Sequence, residues 1–190
     1  MNSSINFIKK YKNVSEEEIE YIIYGLEGIY LTITKAIIIF GCAIIFGIFK
    51  EVLYLLIFYN IIRSQAFGLH ASNSLYCLIS SFILFIGGAY FCKYVTLPLW
   101  LMIVISCICI ICLFLYAPAD TEKRPIVNPK KRKRFKFLSC FLGIILFILI
   151  IIYKNNYMLL GMVYSVIMIL PITYKIFNMP YDNYKRYGIN

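Results

Sequence analysis

The chain has 190 residues, of which 62% are hydrophobic and 15% are charged, and its mean hydropathy is +0.80. Since soluble domains are about 45–50% apolar and about 25% charged, and small ones leave much of their surface exposed, this composition excludes a soluble globular domain and predicts a chain solvated by lipid. The net charge of +10 is typical of membrane proteins with basic cytoplasmic loops, so a nucleic-acid partner is not expected.

The N-terminal region, residues 1–29, is predicted to be cytoplasmic. Ser15-Glu16-Glu17-Glu18 is typical of a capping box at the start of a helix. Apolar residues then recur at helical spacing at Ile19, Ile22, Ile23 and Leu26. This pattern predicts an amphipathic helix over Ser15–Glu27 on the inner membrane surface.

Six apolar segments follow, and a spanning helix needs roughly 20 such residues. The run from Tyr30 to Ile62 is divided at Lys50-Glu51, because one helix of that length would extend ~50 Å, beyond the ~30 Å hydrocarbon core. The short second segment is also compatible with a re-entrant path. The predicted spans are Tyr30–Phe49, Val52–Ile62, Leu75–Cys92, Leu97–Tyr116, Phe137–Tyr153 and Tyr157–Phe177.

The distribution of basic residues tests this count. With the N-terminus in the cytoplasm, only Lys50, Lys93 and Lys154 of the 19 basic residues lie outside. This bias favours an all-α, multi-pass cell-membrane protein with about six spans and both termini cytoplasmic. Residues 30–177 form the predicted membrane domain, with a polar loop at 63–77 and a basic loop at 117–136, and residues 178–190 form a cytoplasmic tail.

The polar loop 63–77 holds the only histidine of the chain, His70, and also Cys77. Imidazole is a base near neutral pH and could activate a thiol. Seven residues along one helix would separate the two side chains by ~10 Å, far beyond the ~3 Å that proton transfer requires. A working pair therefore needs a turn, which Gly68 permits, and a new helix capped by Ser74, whose first-turn amides would stabilise a Cys77 thiolate.

From the residues alone, other interpretations stay open. His70 is also compatible with an interfacial residue, and Cys77 with packing, as expected for the other six cysteines. Arg63 could fix topology or bind a substrate carboxylate. With a single histidine and cysteines that lie mostly inside apolar runs, neither a metal site nor another cofactor is expected.

Two motifs carry a resemblance to a known family. Arg63…Gly68-Leu69-His70-Ala71…Cys77 resembles the R-x(4)-G-x-H-A-x(5)-C core of the AgrB family, the accessory gene regulator protein B membrane endopeptidases. Residues 116–126, which read YAPADTEKRPI, resemble that family's YAPADT-x-x-KPI loop. Phe67 stands where many members have a second glycine, and Arg124 replaces the usual lysine. The resemblance covers essentially the whole chain.

The resemblance implies a thiol endopeptidase of a Gram-positive bacterium, with His70 and Cys77 catalytic. It would cut an AgrD-like quorum-sensing propeptide on its C-terminal side at the cytoplasmic face. An internal Cys or Ser of the peptide would then displace the Cys77 thioester and close a thiolactone or lactone ring. Excluding water and placing the peptide nucleophile nearby would make this ring closure efficient.

The other candidate site residues fall into two groups. A supporting or substrate-binding part is predicted for Arg63, Gln65, Gly68, Asn73, Pro118 and Asp120, with Gln65 and Asn73 able to orient His70. The basic cluster would attract the acidic tail of the propeptide, or else only set topology and bind anionic membrane lipids. Its candidate residues are Lys130, Lys131, Arg132, Lys133 and Arg134. A homodimer stays open, as do a peptide exporter and a non-catalytic scaffold for a signalling peptide.

Overall fold

The computed structural model of the protein describes residues 16–69, 74–121 and 125–187, without the side chains of residues 16–25, 27, 28, 31, 74, 76, 186 and 187. The described part is helical, with one isolated parallel β-bridge between Phe67 and Ala119. A short π-helix covers Ile83–Gly87, and a 3₁₀ helix covers Asn183–Tyr187. The α-helices are α1 (Glu16–Ile45), α2 (Phe49–Ala66), α3 (Ser74–Phe82), α4 (Gly88–Tyr94), α5 (Leu99–Tyr116), α6 (Pro129–Tyr153), α7 (Asn156–Ile167) and α8 (Pro171–Ile176).

The chain divides into two compact units, Met1–Cys42 and Ala43–Asn190. Helix α1 runs without a break through the boundary that was predicted between a surface helix and the first span. No proline interrupts this stretch, and a helix tolerates Gly28 at a cost of about 1 kcal/mol. Ser15, the predicted cap, lies outside the described residues, so the amphipathic surface helix stays a prediction.

Within the part of the chain that the structure describes, three helical stretches are long and apolar enough to cross a membrane, namely Cys77–Tyr94, Leu99–Tyr116 and Pro129–Tyr153. Large apolar side chains such as Trp100, Ile111 and Phe114 are exposed along them, as lipid contact requires. The chain is therefore an all-helical membrane protein. The count of six spans and the sidedness stay predictions.

Several predicted boundaries were wrong. The last predicted span is two helices, because Pro171 has no backbone N–H and starts α8 after a turn. The second segment is longer than predicted and forms all of α2. The basic cluster was assigned to a loop, but it occupies the first turns of α6. There Asn128 caps the helix by accepting hydrogen bonds from the N–H groups of Lys130 (3.0 Å) and Lys131 (3.3 Å).

The helices of the larger unit alternate in direction, so the unit has two ends. At one end Lys93 lies 3.5 Å from Glu51, and the Asn156 amide donates to the carbonyl of Val95. At the other end, four parts of the chain meet: the end of α2, the 117–120 segment, the start of α6 and the C-terminal segment, residues 178–187. This second end contains both sequence motifs.

Helix α7 packs closely on α2. A Cβ on Gly161 would lie 2.8 Å from the Tyr59 nitrogen, so only glycine allows this approach. The Ser165 hydroxyl donates to the carbonyl oxygens of Tyr59 (2.8 Å) and Gly161 (2.9 Å). Small residues and short hydroxyl bonds are typical of helix contacts within membranes. The contact holds the end of α2 in a defined position.

Candidate active site

Arg63, near the end of α2, holds the following turn. Its guanidinium donates to the carbonyl oxygens of Phe67 (Nη1, 3.3 Å) and Leu69 (Nη2, 2.6 Å). The guanidinium carbon also lies 5.4 Å from the ring centroid of Tyr59, one helical turn earlier. Arg63 therefore binds backbone carbonyls of the loop that follows it. The sequence alone had left two other roles open for Arg63, which were fixing the topology and binding a substrate carboxylate.

The turn at Phe67 and Gly68 requires a left-handed backbone. The φ angle is 59° at Phe67 and 108° at Gly68. A Cβ on Gly68 would lie 2.6 Å from the Met168 carbonyl oxygen. Gly68 is therefore indispensable for this path, as the sequence predicted. Phe67 takes a conformation that favours glycine, which gives a physical reason for the second glycine in the family pattern. Its ring packs edge-on against Phe135, with centroids 4.9 Å apart.

Backbone hydrogen bonds fix this turn against two other segments. Gly68 N–H donates to the Ala119 carbonyl (2.9 Å), and Ala119 N–H donates to the Ala66 carbonyl (3.0 Å). Leu69 N–H donates to the Met168 carbonyl (2.9 Å). The two sequence motifs are thus joined directly. Residue 69, the neighbour of His70 in the chain, is held in place.

Cys77 lies in the first turn of α3 and is half-buried. The helix begins at Ser74 itself, which was predicted to be its cap, so Cys77 lies one position further into the helix than predicted. Amide groups at a helix start favour a thiolate. His70 and Asn73 lie outside the described residues. The Gln65 amide donates to the Ser64 hydroxyl at 3.3 Å.

The second motif lies on the other side of the turn. Pro118 is buried and follows a cis peptide bond. Asp120 is 2% exposed, and its carboxylate accepts hydrogen bonds from the N–H groups of Asn183 (3.1 Å), Tyr184 (2.9 Å) and Ile126 (3.4 Å). These bonds engage both carboxylate oxygens, so Asp120 links the 117–120 segment to Ile126 and to the backbone of Asn183 and Tyr184.

The basic cluster divides into two parts. Arg132 is half-buried, stacks on the Tyr184 ring at 3.4 Å and lies 3.8 Å from the Asp182 carboxylate. The other candidates, Lys130, Lys131, Lys133 and Arg134, are exposed. They are the members available to an external anion.

An open pocket of about 380 Å³ lies beside the turn. Most of its wall is apolar, and Lys131 supplies the cationic side chain among its lining residues. The lining residues are Phe67, Pro125, Ile126, Val127, Asn128, Lys131 and Phe135. Glu122–Arg124, which precede Pro125, lie outside the described residues.

Tyr181 and Lys185, in the C-terminal segment, have shifted pKa values. Burial and the nearby Asp182 carboxylate raise the pKa of Tyr181 to about 12, against the opposing effect of Arg132. The exposed Lys185 has its pKa raised by its hydrogen bond and charge interaction with Asp182, 2.7 Å away. Tyr181 is therefore a neutral hydroxyl over the physiological pH range.

Sequence reasoning missed Tyr59, Asn183 and Tyr184. Tyr59 had a signal, since it lies four residues before Arg63 on one helix and therefore on the same face. The C-terminal pair had none, because Asp120 binds their backbone N–H groups, which every residue but proline carries.

Comparison with known proteins identifies the family. The Accessory gene regulator B family model matches residues 1–174. An AgrB-like protein of Clostridium acetobutylicum is 35% identical over 186 residues, covering 95% of this chain and 89% of the relative. Accessory gene regulator protein B of Staphylococcus epidermidis is 31% identical over 170 residues, covering 87% of each chain. An AgrB-like protein of Listeria innocua is 30% identical over 168 residues, covering 86% of this chain and 82% of the relative.

No solved structure shows a significant match to this chain. The relatives come from Gram-positive bacteria, and the family supports a part for the chain in accessory gene regulator autoinducer processing. The chain belongs to the accessory gene regulator B family.

Proposed function

We propose that the chain is a membrane cysteine endopeptidase that cleaves an AgrD-like propeptide and supports its cyclisation. The single observation that carries this proposal is the position of Cys77. It lies in the first turn of α3, while the segment just before His70 is fixed by Arg63, Ala119 and Met168. A fixed turn followed by a helix start is the arrangement that a His/Cys pair seven residues apart needs.

The chemistry follows from these two groups. His70 takes the proton of the Cys77 thiol, and the thiolate attacks the carbonyl carbon of the scissile peptide bond. The bond from this carbon to the sulfur forms, the carbon–nitrogen bond breaks, and the His70 imidazolium gives its proton to the departing amine. An internal Cys or Ser of the peptide then attacks the thioester. It loses its proton to His70, closes the ring and releases the Cys77 thiolate.

The propeptide's acidic tail would bind at the exposed cations of α6. Lys130, Lys131, Lys133 and Arg134 lie on the first turns of a helix whose start is near the Phe67 turn, because Phe135 packs on Phe67. Cations beside the site attract an acidic peptide and so raise the rate at which it binds there. The same cations would also bind anionic lipid when no peptide is present.

The proposal includes a topology. Residues 1–29 form a cytoplasmic amphipathic region, residues 30–177 form a multi-pass membrane domain with six helices in the cell membrane, and residues 178–190 end in the cytoplasm. The end of the larger unit that carries both motifs then faces the cytoplasm, where the propeptide is made. The positive-inside bias supports this orientation.

Two matched cysteine variants test the proposal. Cys77→Ser in a reconstituted membrane should abolish processing of the cognate propeptide while peptide binding persists. Cys107→Ser, on the exposed face of α5, should process at the wild-type rate. Normal processing by Cys77→Ser would exclude the thiol mechanism and would instead fit an exporter or a scaffold.

A further inference from the structure

The C-terminal segment packs against the rest of the larger unit. Residues 178–187 were predicted as part of a tail, yet Asn183 is only 2% exposed, and its side chain donates to the Pro180 carbonyl at 2.9 Å. Tyr181 packs edge-on against Tyr174, with ring centroids 5.1 Å apart. The segment also begins just after the part of the chain that the family model matches, which ends at residue 174.

Two charged side chains hold this segment. The buried Asp120 carboxylate accepts the N–H groups of Asn183 and Tyr184, while Arg132 stacks on the Tyr184 ring and faces Asp182. A buried carboxylate needs such donors, because an unsatisfied charge is strongly unfavourable away from water. We name these five residues the C-terminal clasp: Asp120, Arg132, Asp182, Asn183 and Tyr184.

The clasp is connected directly to the turn before His70. Ala119, the neighbour of Asp120, donates its N–H to Ala66 and accepts the N–H of Gly68. The Tyr174 hydroxyl donates to the Asp120 carbonyl at 3.1 Å, which fixes the same backbone from a further side. Movement of Asp120 would therefore loosen the hydrogen bonds that define Gly68.

We propose that Asp120 is a positioning residue of the active site and that the C-terminal segment acts through it. The segment binds the Asp120 carboxylate, the 117–120 backbone stays against Ala66 and Gly68, and the turn at Phe67 and Gly68 keeps the path on which the proposed pairing of His70 with Cys77 depends. This inference rests on the proposed endopeptidase function for its effect on catalysis. Its effect on the turn does not depend on that function.

Hydrogen exchange of the Gly68 and Leu69 amides tests the structural step without any substrate. Asp120→Asn, Asp120→Ala and a chain ending at Pro180 should each exchange these amides faster, by about tenfold or more, since each loses hydrogen bonds to a charged group. Lys175→Ala is the matched control, because Lys175 is an exposed cation that precedes the segment and is not part of the clasp. It should exchange like the wild type.

Propeptide processing tests the catalytic step. Each clasp variant should lose about tenfold or more in kcat while KM stays within about twofold, as expected when orientation and not binding is lost. A synthetic peptide of residues 178–190 added to the shortened chain should restore part of kcat, which a general loss of folding would not allow. Arg132→Lys, which keeps the charge but loses the planar stack on Tyr184, is the milder variant if the shortened chain does not insert into membranes.

Unchanged exchange at Gly68 and Leu69 in the Asp120 variants would overturn the inference. Faster exchange with unchanged kcat would show that the clasp stabilises the turn without positioning the catalytic groups, and would overturn it as well. A wild-type protein that processes no propeptide, while the clasp variants still exchange the Gly68 and Leu69 amides faster than it does, would contradict the proposed endopeptidase function and leave the structural step supported.

Discussion

The two ends of the larger unit use polar residues differently. At one end Lys93 and Glu51 form a partly exposed ion pair, which contributes little because water solvates both charges. At the other end Asp120 is buried and its carboxylate is occupied by three backbone N–H groups, while Arg63 binds two carbonyls of the loop it precedes. Buried and satisfied polar groups fix a unique backbone path, and that path lies where the family motifs meet.

The largest effect is expected from removing the proposed catalytic base at the end that carries the family motifs. His70→Ala should lower kcat/KM for the propeptide by about 100-fold or more, the usual contribution of general acid–base catalysis. Membrane insertion should stay normal, and this is checked by the yield of folded protein. Near-normal cleavage by this variant would mean that the end of the larger unit that carries the two motifs does not hold a catalytic His/Cys pair.

A second test changes the turn itself. Gly68→Ala places a Cβ 2.6 Å from the Met168 carbonyl oxygen at a φ of 108°. We expect a destabilisation of about 1–3 kcal/mol, the usual cost of such strain, and a large loss of processing. The measurement is thermal or denaturant unfolding in detergent, together with the processing rate.

Gly87→Ala is the matched control for this change. A Cβ there would meet nothing within 4 Å, and the backbone is helical. Its stability should therefore change by less than about 1 kcal/mol, and alanine's helix propensity favours a small gain. Equal losses in both variants would mean that the Gly68 turn is not special.

A third test separates the exposed cations from the clasp. Changing Lys130, Lys133 and Arg134 together to Gln should raise KM several-fold and make KM less dependent on salt, because exposed charges act at a distance and are screened. The value of kcat should hold. An unchanged KM at low ionic strength would instead assign these residues to topology and lipid binding.

The smallest effect is expected at the opposite end. Glu51→Gln removes the ion pair with Lys93 and should cost no more than about 1 kcal/mol of stability. Processing should match the wild type within error. A large catalytic loss there would break the contrast between the two ends.

Local patterns predicted much of the fold. The predicted span Leu97–Tyr116 agrees with α5 to within two residues. This agreement is expected, because in lipid an uninterrupted apolar run must satisfy its backbone hydrogen bonds as a helix. Gly68 was predicted to make the turn, and it does. The start of α6 was missed although Asn128-Pro129 is a cap and first-position signal, since the run of cations was interpreted as a loop.

The clasp could not be predicted from the sequence. Asp120 and Tyr184 are 64 residues apart, and the bond between them uses a backbone N–H. The left-handed backbone at Phe67 is not indicated by the phenylalanine itself, and its signal is the glycine that many family members have at this position. Long-range contacts that involve the backbone depend on how helices pack, and the hydrophobic periodicity of the sequence does not indicate them.

The measurement that tests the central claim most directly is mass spectrometry of the reconstituted protein after brief reaction with its cognate propeptide. The account predicts a peptide covalently attached to Cys77 as a thioester, which hydroxylamine removes and which Cys77→Ala does not form. Processing that proceeds without any adduct on Cys77, or with the adduct on another cysteine, would contradict it.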